Sequence, residues 1–184
     1  MSEKYTVLAV CTGNICRSPA MERLLAQLVG DDTGTKILSA GTHAHVGEDI
    51  QPEMKERITD FGASTEGFTA TQLTTEMIES SDLILAATRV HVEDILAEVP
   101  AAASRTFTLR QFGRILKNLD DAEIHGASVG QKLHALADLA DQQREAAGEN
   151  DDIVDPYMLP DDVYDESFQQ IREPIETLRG VLGR

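Results

Sequence analysis

The sequence predicts an α/β fold, a four-stranded parallel sheet with helices on both faces. Short apolar runs typical of buried strands alternate along the chain with segments in which apolar residues recur at helical spacing. Such alternation is typical of parallel strands joined by right-handed helical crossovers. The chain has 184 residues, 41% of them hydrophobic, which suffices for one sizeable core. We therefore expect residues 1–184 to form a single domain.

Each element is predicted from its own pattern. The strands are the apolar runs Val7–Val10, Ile37–Ala40, Leu83–Ala87 and Thr106–Leu109. The helices are Ala20–Leu28, Pro52–Asp60, Thr75–Glu79, Val90–Glu98, Phe112–Leu116 and Val163–Leu182. Ligands of such sheets bind at the carboxyl ends of the strands, so the segment that follows the first strand is the place to look for a site.

That segment is the most informative part of the chain. It reads Cys11-Thr12-Gly13-Asn14-Ile15-Cys16-Arg17-Ser18, and Pro19 then falls in the first turn of a helix. The amides of a tight loop and of a helix N-terminus lack partners of their own and can converge on one anion. The pattern predicts a phosphate-ester site with a cysteine nucleophile. The alternative is a structural cysteine pair beside an ordinary helix start.

Each residue type suits this chemistry. A thiol attacks as thiolate, a form that a helix N-terminus and a nearby arginine favour, so Cys11 is the candidate nucleophile. Arg17 offers a planar fork that matches two phosphoryl oxygens. We expect Gly13 to adopt a positive φ, and Asn14 to tolerate the left-handed region and lock the loop. Ser18 is expected either to cap the helix or to donate to the sulfur of Cys11.

This loop closely resembles the signature loop of the low-molecular-weight protein tyrosine phosphatases. The resemblance continues through most of the chain, in Ser39-Ala40-Gly41-Thr42, Gln72-Leu73-Thr74, Asp82-Leu83-Ile84-Leu85 and Asp155-Pro156-Tyr157. It implies the phosphotyrosine phosphatase I-like fold, a flavodoxin-like arrangement of three layers. The region around residues 118–150 is longer than in compact relatives and is interpreted as an insertion. It contains a predicted helix, Lys132–Ala140, either an extra surface helix or a flap beside Asp155.

The resemblance also implies roles for residues at matching positions. Cys11 would form a phosphocysteine intermediate, Arg17 and the loop amides would hold the phosphoryl oxygens, and Asp155 would serve as general acid and then general base. Cys16 matches a cysteine that in relatives forms a reversible disulfide with the nucleophile. The implied substrate-binding residues are Thr12, Gly13, Asn14, Ile15, Cys16, Ser18 and Tyr157, and Ser39 would help to orient the loop. No metal or cofactor is expected.

Several positions leave alternatives open or depart from the family pattern. Asp-Pro pairs often start turns, and Asp152 is the competing candidate for the general acid. Phe68 stands where relatives commonly carry a histidine that bonds the loop asparagine, so that network must be completed differently. His45 is a candidate replacement for a rim aromatic, and Met158 replaces a second aromatic. Together with His43, His45 could suggest a metal site, but no further ligand lies at a recognisable spacing.

Composition restricts the partners. The net charge of −16 at pH 7 argues against nucleic acid, and no apolar run approaches the roughly 20 residues that span a bilayer. The expected partners are a phosphotyrosine-containing protein or a small aryl phosphate, with inorganic phosphate as product. Two cysteines five positions apart, without a secretory pattern at the N-terminus, favour a cytoplasmic protein.

Other functions remain possible at this stage. An arsenate reductase of the same fold would need an external small thiol, because Cys11 and Cys16 are the only two cysteines. A phosphatase of small aryl or sugar esters would use the same groups. A non-catalytic phosphate-binding interaction module is the fourth possibility, and the joint presence of Cys11, Arg17 and Asp155 argues against it.

Overall fold

The computed structural model describes residues 4–119, 124–144 and 150–183. Its centre is a parallel sheet in the strand order β2-β1-β3-β4. The strands are β1 (Tyr5–Cys11), β2 (Thr35–Gly41), β3 (Leu83–Ala86) and β4 (Thr106–Thr108). This confirms the predicted fold class.

Seven α-helices and one 3-10 helix are described around the sheet. They are α1 (Arg17–Val29), α2 (Pro52–Asp60), α3 (Thr75–Ser80), α4 (Arg89–Glu98), the 3-10 helix Pro100–Arg105, α5 (Leu109–Lys117), α6 (Val129–Gln142) and α7 (Asp161–Leu182). Leu109 was predicted to end the fourth strand but begins α5 instead. The reason is local, because the Thr108 side chain accepts a hydrogen bond from the amide of Gln111 and so caps the helix. The 3-10 helix was not predicted.

The sheet is buried on both faces, which explains why its strands are continuous apolar runs rather than alternating ones. Val7 and Ala9 of β1 face a core shared with α1, α2, α5, α6 and α7. Leu8 and Val10 point the other way, toward α3, α4 and the 3-10 helix. The result is a three-layer arrangement. Cys11 ends the central strand β1, so it lies where the carboxyl ends of the parallel strands meet.

The described part of the insertion contains the predicted helix, extended to the bounds of α6. This helix approaches the beginning of the strands: a Cβ on Gly130 would lie 3.0 Å from the Cβ of Tyr5. Arg144, just beyond it, donates to the carbonyl of Thr106 at 2.8 Å. That end of the sheet is opposite Cys11, so the position favours a surface helix over a flap beside Asp155. Residues 120–123 and 145–149 of the insertion lie outside the described residues.

The single-domain assignment stays a prediction. None of the described helices has the length and apolar character needed to cross a bilayer.

Candidate active site

The loop after β1 turns its carbonyl groups away from its own centre. The carbonyls of Cys11, Thr12 and Gly13 accept hydrogen bonds of 2.9–3.0 Å from the segment that follows β2, and that of Ile15 accepts from the amide of Gln51 at 2.8 Å. Within the described part of the chain, no acceptor is found for the amides of residues 12–18. The last of these amides belong to the N-terminus of α1, where the helix dipole also favours an anion. The loop is therefore a cradle of main-chain donors.

Gly13 corrects one expectation. Its φ is not positive; the residue with left-handed geometry is Asn14, at φ 57°. At Gly13 the constraint is close packing, because a Cβ there would lie 3.1 Å from Cδ2 of His45 and the imidazole ring would have to shift. Asn14 takes the sharp turn in the loop, as the sequence predicted.

A buried hydrogen-bond network holds this turn. Asn14 Oδ1 accepts from the amide of Thr71 at 2.8 Å, and Asn14 Nδ2 donates to Ser18 Oγ at 2.8 Å and to Ser39 Oγ at 3.0 Å. Ser18 Oγ lies 2.9 Å from the sulfur of Cys11. Ser18 sits inside the first turn of α1 and is no cap, so of its two expected roles the structure supports the contact with the sulfur.

Arg17 is the buried cation of the loop. It is 5% exposed, and its Nη1 donates to the carbonyl of Ile153 at 3.0 Å. Nη2 lies 3.5 Å from Oδ2 of Asp155. The first residue of α1 thus contacts a segment that the chain reaches more than a hundred residues later.

The two candidate acids occupy different places. Asp155 faces the loop and is 54% exposed, and its Oδ1 accepts from the amide of Tyr157 at 3.2 Å. Asp152 instead accepts from the amide of Arg89 at 2.9 Å, at the N-terminus of α4. Only Asp155 of this pair lines the pocket described next.

The pocket over the loop has a volume of about 70 Å³. Its lining is formed by Cys11, Thr12, Gly13, Ile15, Cys16, Arg17, His45, Asp155 and Tyr157. The rings of His45 and Tyr157 meet edge to face with centroids 5.4 Å apart, so they form one aromatic wall. Asn14 and Ser18, which were predicted to bind substrate, lie buried behind the loop rather than in this lining.

Cys16 differs from Cys11 in its surroundings. Both thiols are free and buried. The Cys16 sulfur lies 3.8 Å from the hydroxyl of Tyr164, and burial raises the pKa of its thiol to about 12. Cys16 therefore stays protonated near neutral pH, and Cys11 is the better candidate nucleophile.

Arginines of α5 anchor the segment that carries Asp155, a feature the sequence analysis missed. Arg110 Nη1 donates to the carbonyl of Asp152 at 3.0 Å. Arg114 forms an ion pair with the buried carboxylate of Asp151, including a contact of 3.4 Å between Nη2 and Oδ2. No local signal in the sequence pairs these residues, because 37 positions separate Arg114 from Asp151.

His91 was missed as well. Its Nε2 lies 2.8 Å from the hydroxyl of Thr12, and its Nδ1 lies 2.9 Å from the hydroxyl of Thr88. Burial, and secondarily the positive charge of Arg17, lower the pKa of His91 to about 4. A neutral imidazole therefore bridges the loop to the start of α4.

The departures from the family pattern have structural consequences. Phe68 makes no hydrogen bond to Asn14. Its ring lies under the guanidinium of Arg23, with 5.6 Å between the ring centroid and Arg23 Cζ. Thr71 and Ser39 complete the asparagine network instead. Met158 has a φ of 62° and is 83% exposed, so its side chain adds no wall to the pocket.

Comparison with known proteins places these features in a family. The family model described as low molecular weight phosphotyrosine protein phosphatase matches residues 6–125. The low molecular weight protein-tyrosine-phosphatase Etp of Escherichia coli K12 is 37% identical over 140 residues, covering 75% of this chain and 90% of Etp.

Solved structures agree with the family model. The tyrosine phosphatase AmsI of Erwinia amylovora has a TM-score of 0.70 and 26% identity, with 100% of this chain and 96% of that one covered. The YwlE arginine phosphatase of Geobacillus stearothermophilus has a TM-score of 0.69 and 28% identity, with 97% and 93% covered.

Proposed function

Because this chain belongs to the low molecular weight phosphotyrosine protein phosphatase family, we propose that it hydrolyses phosphotyrosine and related aryl phosphate monoesters through a phosphocysteine intermediate. The observation that carries the proposal is the pocket in which Cys11, Arg17 and Asp155 meet above loop amides that find no acceptor among the described residues. A cradle of donors at a helix N-terminus suits a phosphoryl dianion, and the loop is on this view a phosphate-binding loop.

In the first step, the thiolate of Cys11 attacks phosphorus and the ester P–O bond breaks. Asp155 in its protonated form gives its proton to the departing phenolate oxygen. Arg17 and the amides of residues 12–18 hold the three equatorial oxygens while charge moves from the nucleophile to the leaving group. Ser18 donates to the Cys11 sulfur, which supports its thiolate form.

In the second step, water replaces the alcohol. Asp155, now ionised, removes a proton from a water molecule that attacks phosphorus, and the S–P bond breaks. Inorganic phosphate leaves and the Cys11 thiolate returns. Every proton in this cycle passes through Asp155, so no other acid or base, cofactor or metal enters the scheme.

The wall of the pocket supports an aryl substrate. Tyr157 and His45 supply two aromatic rings to the lining, and Ile15 adds an apolar surface, which together suit a flat aromatic ring. The YwlE relative is an arginine phosphatase by its title. A phosphoguanidinium substrate has polar N–H groups beside the phosphorus that need acceptors, whereas the lining residues offer one carboxylate, Asp155, which the proposed mechanism already uses as general acid. We therefore place phosphotyrosine first.

The proposed partner is a phosphotyrosine-containing protein or a small aryl phosphate in the cytoplasm. Two free cysteines, one of them the proposed nucleophile, suit a reducing compartment. The net charge of −16 makes acidic phosphopeptides poor substrates at low salt, because long-range repulsion slows their capture.

The test is turnover of p-nitrophenyl phosphate, then of matched phosphotyrosyl and phosphoarginyl peptides, by the native protein and by Cys11→Ser. We expect phosphotyrosyl turnover, competitive inhibition by vanadate, no loss with chelators and no activity in Cys11→Ser. Preference for phosphoarginine would replace the substrate but retain the mechanism. Arsenate reduction dependent on added thiol, without ester hydrolysis, would favour the reductase. Phosphate binding without turnover would favour an interaction module.

A further inference from the structure

A continuous path of hydrogen bonds leads from the sulfur of Cys11 to a partly buried carboxylate on α1. It runs through Ser18, Asn14 and Ser39 and ends at Glu22, whose Oε1 accepts from Ser39 Oγ at 3.0 Å. We propose that Glu22 is a positioning residue for the nucleophile. Its carboxylate takes the proton of Ser39, which leaves the Ser39 oxygen as an acceptor for Asn14 and supports the arrangement in which the last hydrogen bond is donated to the sulfur. This inference rests on the proposed function of Cys11.

The direction is set at Ser39. A hydroxyl has one proton to donate, and an ionised carboxylate can only accept. The proton of Ser39 therefore goes to Glu22, and a lone pair of Ser39 Oγ is left for the amide of Asn14, 3.0 Å away. Without Glu22, the hydroxyl of Ser39 could rotate so that its proton faces the Asn14 side-chain amide. Two donors would then face each other, and the Asn14–Ser39 hydrogen bond would be lost.

Asn14 passes the direction on. Its Oδ1 is occupied by the amide of Thr71, and the two protons of Nδ2 go to Ser39 and Ser18, so no alternative orientation satisfies all three contacts. Ser18 accepts from Asn14, which leaves its single proton for an acceptor. The Cys11 sulfur at 2.9 Å is closer than the carbonyl of Ala40 at 3.4 Å. The sulfur therefore receives an O–H donor, which stabilises the thiolate.

The surroundings keep the carboxylate in place. The side chain of Glu22 is 15% exposed, and burial raises its pKa. Arg23 opposes that effect: its Nε lies 2.7 Å from Glu22 Oε2, an electrostatic contact without hydrogen-bond geometry. The Arg23 guanidinium is itself fixed by the carbonyl of Glu66 at 2.9 Å and by the ring of Phe68.

Glu22 could instead matter only as the ion-pair partner of Arg23. Glu22→Gln separates the two roles, because glutamine keeps an acceptor oxygen for Ser39 but loses the charge that faces Arg23. Glu22→Ala removes both. Glu56→Ala, an exposed glutamate on α2, serves as the control that should change nothing.

The first measurement is turnover of p-nitrophenyl phosphate. We expect Glu22→Ala to lower kcat about 10-fold with KM within about twofold, as expected for losing a donor to a charged group. Glu22→Gln should keep kcat within about threefold of the native value. An unchanged kcat in Glu22→Ala, or an equal loss in both variants, overturns the proposal. If Glu22→Ala does not fold, Glu22→Leu, which fills the space of the side chain but offers Ser39 no acceptor, takes its place with the same expected loss.

The second measurement does not depend on turnover. The rate of Cys11 alkylation by iodoacetamide is followed against pH; Cys16 should react slowly, because burial raises the pKa of its thiol to about 12. The pH at which the alkylation rate is half-maximal should rise by about one unit in Glu22→Ala and should be unchanged in Glu22→Gln. An unchanged midpoint in Glu22→Ala refutes the positioning role, whereas a native protein without phosphatase activity would count against the proposed function alone.

Discussion

The guanidinium of Arg17 lies 3.5 Å from the carboxylate of Asp155, which joins the cradle loop to the segment that carries the proposed general acid. The same side chain donates to the carbonyl of Ile153 at 3.0 Å. One buried arginine therefore both lines the phosphate pocket and fixes the distance between nucleophile and acid. Proximity of this kind is what converts separate reactive groups into one site.

Asp155→Asn should affect poor leaving groups most. Phenyl phosphate needs its leaving oxygen protonated, so its turnover should fall about 10²–10⁴-fold, whereas p-nitrophenyl phosphate should lose much less. The measurement is the dependence of kcat on leaving-group pKa, which should become steeper. Asp152→Asn is the matched control, because Asp152 bonds the amide of Arg89 outside the pocket. A steeper dependence in Asp152→Asn instead would reassign the acid.

Acid should destabilise the protein through His91. Its pKa is about 4 in the folded state against 6.5 for the free side chain, so the unfolded chain binds the proton first as pH falls. The contribution is fully present above pH 6.5 and is lost between pH 6.5 and 4, in total about 3 kcal/mol. Urea unfolding at several pH values should give a flatter curve for His91→Gln than for the native protein. Parallel curves would contradict the assigned pKa.

Gly41→Ala should damage both fold and activity. A Cβ at this position would lie 2.4 Å from the carbonyl oxygen of Thr12 and 3.0 Å from the amide of Asn14, both in the backbone of the cradle loop. We expect a loss of about 1–3 kcal/mol in unfolding free energy and a reduced kcat. Gly180→Ala is the contrasting variant: apart from the backbone of α7 itself, no atom of the described residues lies within 4 Å of its Cβ, and it should stabilise by up to about 1 kcal/mol. Thermal unfolding and p-nitrophenyl phosphate turnover check both.

Asp151→Ala should destabilise the segment that carries Asp155. The substitution removes the buried carboxylate of the ion pair with Arg114, whose side chain is one-third exposed, and should cost about 2 kcal/mol of unfolding free energy. Because Asp151 anchors the segment leading to Asp155, kcat on phenyl phosphate should fall as well. Glu173→Ala breaks the exposed ion pair with Lys117 and should cost under about 1 kcal/mol with kcat unchanged. Equal effects of the two substitutions would dismiss the anchoring role.

The sequence predicted well what neighbouring residues decide. Cys11, Arg17 and Ser18 lie at the two ends of one short loop, and a strand followed by a tight turn and a helix N-terminus brings them together whatever the rest of the chain does. The four strands and most helices followed from periodicity, and only their ends differed. Where Thr108 capped α5, a single side-chain hydrogen bond moved the boundary between strand and helix.

Only the tertiary structure could place Asp155 at the pocket and Asp152 at the start of α4, bring Glu22 to Ser39, His91 to Thr12 and Arg114 to Asp151, or show the ring of His45 beside Gly13. These contacts join segments far apart in the chain, or depend on the register between neighbouring elements. Residue type and spacing do not predict such distances, because the long-range neighbours of a side chain are set by how whole helices and strands pack. Local conformation could be predicted from the sequence, whereas the environment of each reactive group depends on the tertiary structure.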